Sequence, residues 1–165
     1  MSTDPLLTFN LSNLEQNSGG GFVINGVEEY DYSGVSVSNA GDVNNDGFDD
    51  LIIGAYNADP NDNDASGSSY VVFGKSSTSA VELSTIEAGQ SGGFVINGIS
   101  ESDNSGFSVS NAGDVNNDGF DDLIVGARFA DPNGSNSGSS YVVFGKNSTS
   151  AVELSTIEAG QSGGF

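Results

Sequence analysis

Two kinds of apolar pattern alternate along this chain. At residues 34–38 and again at 106–110, apolar or glycine positions alternate with serine, the period of a strand with one face against a core. At Leu51-Ile-Ile-Gly54 and Leu123-Ile-Val-Gly126 the run is continuous and largely β-branched, which predicts a short buried strand. Residues 140–144 predict a third strand and 94–97 a fourth, bounded by glycines, while 83–87 reads as a short turn. The stretches 59–67 and 131–138 are polar, rich in Asp, Asn, Gly and Ser, and predict long loops.

The same order of elements then repeats. Phe22-Val-Ile-Asn-Gly26 returns as Phe94-Val-Ile-Asn-Gly98, and Asp42 returns as Asp114, both at an offset of 72. Tyr70-Val-Val-Phe-Gly-Lys75 returns as Tyr141-Val-Val-Phe-Gly-Lys146 at an offset of 71, one residue having been lost from the loop between. Phe9-Asn-Leu-Ser-Asn-Leu-Glu15 aligns with Val81-Glu-Leu-Ser-Thr-Ile-Glu87 and with Val152-Glu-Leu-Ser-Thr-Ile-Glu158. The expected organisation is a leader at 1–8, one repeat at 9–80, a second at 81–151, and the start of a third at 152–165. Four short antiparallel strands per unit of this length predict an all-β fold of β-propeller blades, one per repeat.

Between the first and second strands lies Asp42-Val-Asn-Asn-Asp-Gly-Phe-Asp-Asp50, and the same nine residues stand unchanged at 114–122. Asp42, Asn44 and Asp46 occupy alternate positions, so a coiled loop can aim three side-chain oxygens at one centre. Gly47 allows the sharp turn that follows, Phe48 can offer its carbonyl, and Asp50 closes the shell. An all-oxygen set of this kind suits a hard cation such as Ca2+, which takes about 6 to 8 oxygen donors. A plain solvated turn is the competing reading of one such loop; the unchanged second copy, again followed by an apolar run, favours the metal. An EF-hand loop needs an acid at position 12, as dockerin-type loops do, and here that position holds Ile53 or Val125.

Charge narrows the possible partners. Lys75, Arg128 and Lys146 are the only basic residues against a net charge of -20, so nucleic acid and anionic membranes are repelled. With no cysteine there is neither a disulfide framework nor thiolate chemistry, and with no histidine the commonest general base and zinc ligand is missing. The first residues have neither a basic region nor a long apolar core, so no cleavable signal and no membrane span is expected.

The run Ser-Gly-Phe-Ser-Val-Ser-Asn-Ala-Gly-Asp-Val-Asn-Asn-Asp-Gly-Phe-Asp-Asp-Leu-Ile-Val-Gly-Ala at 105–127, followed by Gly-Ser-Ser-Tyr-Val-Val-Phe-Gly at 138–145, closely resembles the FG-GAP repeat of integrin alpha-chain propellers and bacterial surface proteins. The resemblance implies a propeller blade with Ca2+ in the first hairpin loop, about one ion per full repeat. Carried over by position, the ligands are Asp42, Asn44, Asp46, Phe48 (carbonyl) and Asp50, then Asp114, Asn116, Asp118, Phe120 (carbonyl) and Asp122. The family's Phe-Gly stands here as Gly34-Val35 and Gly106-Phe107, and its Gly-Ala-Pro ends in Tyr56 and Arg128, beside the loops rather than in them. Such propellers usually have seven blades, so a chain with two is expected to be a piece of a longer protein or to associate with itself as a homo-oligomer that completes a propeller.

The implied role is a non-catalytic, calcium-binding structural or adhesion module at a cell surface or outside the cell, with a protein or glycan ligand that the sequence does not identify. Two alternatives stand beside it: a pure structural repeat assembled from several chains with no ligand, and an accessory domain of a secreted hydrolase. Tyr30, Tyr32, Tyr56, Arg128 and Phe129 are the side chains near the long loops with contact potential.

Overall fold

The computed structural model describes residue 11, residues 20–161 and residues 163–165. The expected leader, and all of the first copy of the recurring 9–15 segment except Leu11, fall outside the described residues.

The predicted strands form with shifted ends. β1 (Ile24–Asn25), β2 (Ser36–Gly41), β3 (Asp50–Ala55) and β4 (Ser68–Val72) are followed by β5 (Val81–Glu82) and β6 (Gly93–Asn97). The second copy gives β7 (Ser105–Gly113), β8 (Asp122–Ala127), β9 (Ser139–Val143) and β10 (Val152–Glu153). The apolar runs become β3 and β8, interior strands with a hydrogen-bonded partner on each edge. The expected short turn is one helical turn, Leu83–Glu87, repeated as Leu154–Glu158.

β2, β3, β4 and β6 form an antiparallel meander, with Val37 opposite Ile53, Ile53 opposite Tyr70, and Tyr70 opposite Val95. This is one propeller-type blade, and its fourth strand comes from the beginning of the following repeat. β7, β8 and β9 build a second blade in the same register, and Phe165 exchanges backbone hydrogen bonds with Val142 as the start of the corresponding fourth strand. Among the described residues no closed barrel forms. β5 and β10 were not expected as strands: each runs parallel to a fourth strand, β5 beside β1 and β10 beside β6.

Strand alternation divides each blade into two faces. In the first blade Ile53, Tyr70, Val72 and Val95 point back toward β1 and the Leu83–Glu87 helix, with Leu83 and Ile86 beneath them. Ile52, Val71, Phe94 and Ile96 point forward onto Leu123, Val125, Tyr141, Val143, Leu154 and Ile157 of the second blade. All four forward side chains are fully buried, and each contributes about 1.5–3 kcal/mol, an upper estimate because the unfolded chain already hides some apolar area. Backbones meet closely at this junction: a Cβ on Gly54 would stand 2.0 Å from the Gly106 carbonyl. Among the described residues, no helix is long and apolar enough to cross a membrane.

Candidate metal centre

The recurring nonamer is the hairpin turn from β2 to β3 and again from β7 to β8. Two backbone conformations shape it. Asn45 and Asn117 hold φ of 59° and 60°, a left-handed conformation that Asn tolerates, and Gly47 and Gly119 hold φ of 90° and 93°, where most side chains are strained. Both pairs sit where the sequence calls for a tight coil.

The side chains inside the coil make one network twice. Asp42 accepts the N–H of Asp46 at 3.0 Å and of Gly47 at 2.9 Å, and Asp114 accepts those of Asp118 and Gly119, both at 3.0 Å. Asp46 Oδ1 accepts the Phe48 N–H at 2.9 Å, and Asp118 Oδ1 that of Phe120 at 3.0 Å. The Asn44 amide donates to Asp46 at 3.0 Å and Asn116 to Asp118 at 2.8 Å. Asp50 and Asp122, at the far end, have no exposed surface. Asp50 accepts from Val43 at 3.0 Å and from Gly74 at 2.7 Å, and Asp122 from Val115 and Gly145, both at 2.9 Å. The last acid of each loop therefore ties the hairpin to the glycine after the third strand.

All ten expected ligand positions thus lie together in two turns. Among the described residues, no three carboxylates gather as a metal cluster would, because Asp42 and Asp50 turn their oxygens onto loop amides. Two observations nevertheless fit a hard cation. Asn44 Oδ1 is buried with no hydrogen-bond partner, an arrangement that costs free energy unless something polar meets the oxygen. The Asp50 carboxyl is raised to about 6, chiefly by burial, with the Gly74 and Val43 amides pulling it down and the Asp46 and Asp42 carboxylates adding to the rise. A divalent ion supplies the positive charge that such crowded acids lack.

Three contributors were not anticipated. Gly74 and Gly145 donate to the buried acids, and a Cβ on Gly74 would stand 2.5 Å from Phe48 Cβ; their signal was the glycine after Tyr-Val-Val-Phe in both copies. Asp121 accepts the Asp42 N–H at 2.9 Å and donates its own N–H to the Asp42 carbonyl at 3.2 Å, so the second loop grips the first. No local pattern distinguishes Asp121 from Asp49.

At the opposite end of the hairpins the side chains with contact potential meet. Tyr32 stacks on Tyr56 with ring centroids 5.7 Å apart, and Phe107 meets Tyr56 edge-on at 5.5 Å. The Arg128 guanidinium lies 3.8 Å from the Phe107 centroid and 4.2 Å from that of Phe129. Phe107 was overlooked; its signal was that it replaces Val35 of the first copy.

The FG-GAP repeat family model matches residues 33–72 and 105–143, which span the first three strands of each blade and the loop between the first two. No curated protein matches the chain.

Proposed function

We propose that this chain, which carries FG-GAP repeats at residues 33–72 and 105–143, is a calcium-stiffened, non-catalytic scaffold or adhesion module that works outside the cell. The observation that carries the reading is the all-oxygen coil at 42–50, which recurs at 114–122 with nearly the same internal hydrogen bonds and in the first copy holds a buried, unpartnered Asn44 Oδ1. Calcium replaces mutual repulsion among the acids with shared coordination and locks each hairpin. At dissociation constants of about 0.1–1 mM for extracellular sites, 1 mM calcium stabilises each loop by about 0.4–1.4 kcal/mol, and cytosolic calcium leaves both empty.

A non-catalytic role is supported by where the acids lie: the loop carboxylates are engaged by backbone amides, and no histidine is present to act as a base. The rim of exposed Tyr32, Phe107, Arg128 and Phe129 around a half-buried Tyr56 is the surface that favours adhesion, since rigid aromatics and arginine are the usual anchors of binding patches.

Calorimetric titration of calcium into EDTA-stripped protein tests the metal reading. Two sites per chain and a melting temperature several degrees higher in 2 mM calcium are expected, with both effects abolished in Asp42→Ala/Asp114→Ala. A chain that binds no calcium and melts identically in EDTA would refute it.

A further inference from the structure

The two blades carry the same forward-facing residues, yet only one set is covered. Val43, Ile52, Val71 and Phe94 are fully buried against the second blade, whereas their counterparts Val115, Ile124 and Phe165 are 46%, 37% and 68% exposed and Val142 is half-buried. The backward faces differ in the opposite sense. Leu123 of the second blade is fully buried and Val109 partly so, but in the first blade Leu51 is 37% and Val37 65% exposed. Ile24, Val37, Leu51 and Ile53 there line an apolar hollow of about 350 Å³.

We propose that a second copy of this chain docks head to tail, seating the backward face of its first blade on the forward face of the second blade. The occupant is identified by the junction already present within one chain. Each of these residues has a more deeply buried counterpart at that junction, identical in type at Val43/Val115, Ile52/Ile124, Val71/Val142, Phe94/Phe165, Val37/Val109 and Leu51/Leu123.

The polar contacts carry over as well. Ser36 Oγ accepts the Val109 N–H at 3.0 Å within the chain; between copies, Ser108 of one would accept from Val37 of the next. Asp121 accepts from Asp42 within the chain; between copies, Asp49 of one would accept from Asp114 of the other. Gly34 has open space where its counterpart Gly106 meets the first blade's neighbour strand. The contact is heterologous, so it grows until a ring closes or continues as a filament. It rests on apolar faces and backbone contacts and does not require the calcium reading to be correct.

Light scattering coupled to size exclusion, run in EDTA and again in calcium, tests the inference on the whole 165-residue chain. The expected result is a mass of at least two chains at tens of micromolar. Ile124→Lys and Val37→Lys each change a side chain that is solvent-exposed in the single chain, so both are expected to keep the parent circular dichroism and run as monomers. Mixed one to one, each retains the surface the other lacks, and a single heterodimer forms. Because the chain has no cysteine, a mixture of Val37→Cys and Ser108→Cys chains, oxidised at low concentration, gives a cross-linked pair as a second readout that needs no charge in the interface.

A monomeric parent chain at these concentrations would overturn the proposal. So would an assembly lost in Ile124→Lys but kept in Val37→Lys, which would mean like faces pairing, or a mixture of the lysine variants that stays monomeric.

Discussion

Residues 42–50 and 114–122 are the same nonamer in two surroundings. The first is roofed by the second blade: Val43 is fully buried, and the Asp42 backbone exchanges two hydrogen bonds with Asp121. In the second, Val115 is 46% exposed and Asp114 lies at the surface. Internal hydrogen bonding is nearly the same in both, so the coil is set by its own residues. Burial and unmet polarity are set by the neighbouring blade. Asn44 Oδ1 is buried without a partner, while the matching Asn116 Oδ1 accepts the Asp118 N–H at 2.8 Å.

Replacing equivalent phenylalanines tests this difference most severely. Phe94→Ala should cost about 3–5 kcal/mol in urea unfolding, because it empties the packed junction. In the Val37→Lys background, expected to run as a monomer, Phe165→Ala at the matching exposed position should cost about 0.5 kcal/mol or less. Equal costs in that monomeric background would mean that the second forward face is covered within a single chain.

A smaller effect is expected from pH. The Asp50 carboxyl is raised to about 6, chiefly by burial, and burial also raises Asp31 and Asp103. A raised folded value makes the acid form the one that folding favours. The resulting stability is fully present below the unfolded value near 3.8 and is lost as pH rises through about 6. In EDTA the melting temperature should therefore fall between pH 5 and pH 7.5, and Asp50→Asn should flatten that slope. A melting temperature that rises over this range would contradict the burial assigned to these acids.

The smallest effect separates the two acids that precede the buried ones. Asp121→Ala removes the acceptor for the Asp42 amide and should cost about 1.5 kcal/mol. Asp49→Ala, at a position exposed in the single chain, should stay within about 0.5 kcal/mol by thermal denaturation in the same monomeric background. Were Asp49 as costly as Asp121, the second loop's grip on the first would not be what distinguishes them.

The strands and both loops were legible in the sequence because each depends on local rules: alternation in β2 and β7, continuous apolar runs in β3 and β8, and Asn and Gly at the two left-handed positions. The relation between copies was not legible. Identical residues make identical local predictions, so nothing in Val43 or Val115 says which is covered. The parallel pairings of β5 and β10 escaped for a related reason, since two-residue strands carry no period and form only where a neighbour's edge is offered. The aromatic rim was visible only where the copies diverge, at Tyr32 against Asn104 and Phe107 against Val35.

The fourth strand of the first blade, β6, lies some twenty residues beyond the third, past a loop and a helical turn. The block that was copied in sequence and the sheet that folds are therefore out of phase. A cut in the exposed stretch 76–80 would divide the chain between recurring blocks yet tear a strand from a sheet, leaving β4 with an open edge of the kind that seeds aggregation. Growth by copying has the reverse property: wherever the breakpoint falls, inserting one whole period restores every strand to a partner, so such a chain can lengthen without inventing a new join.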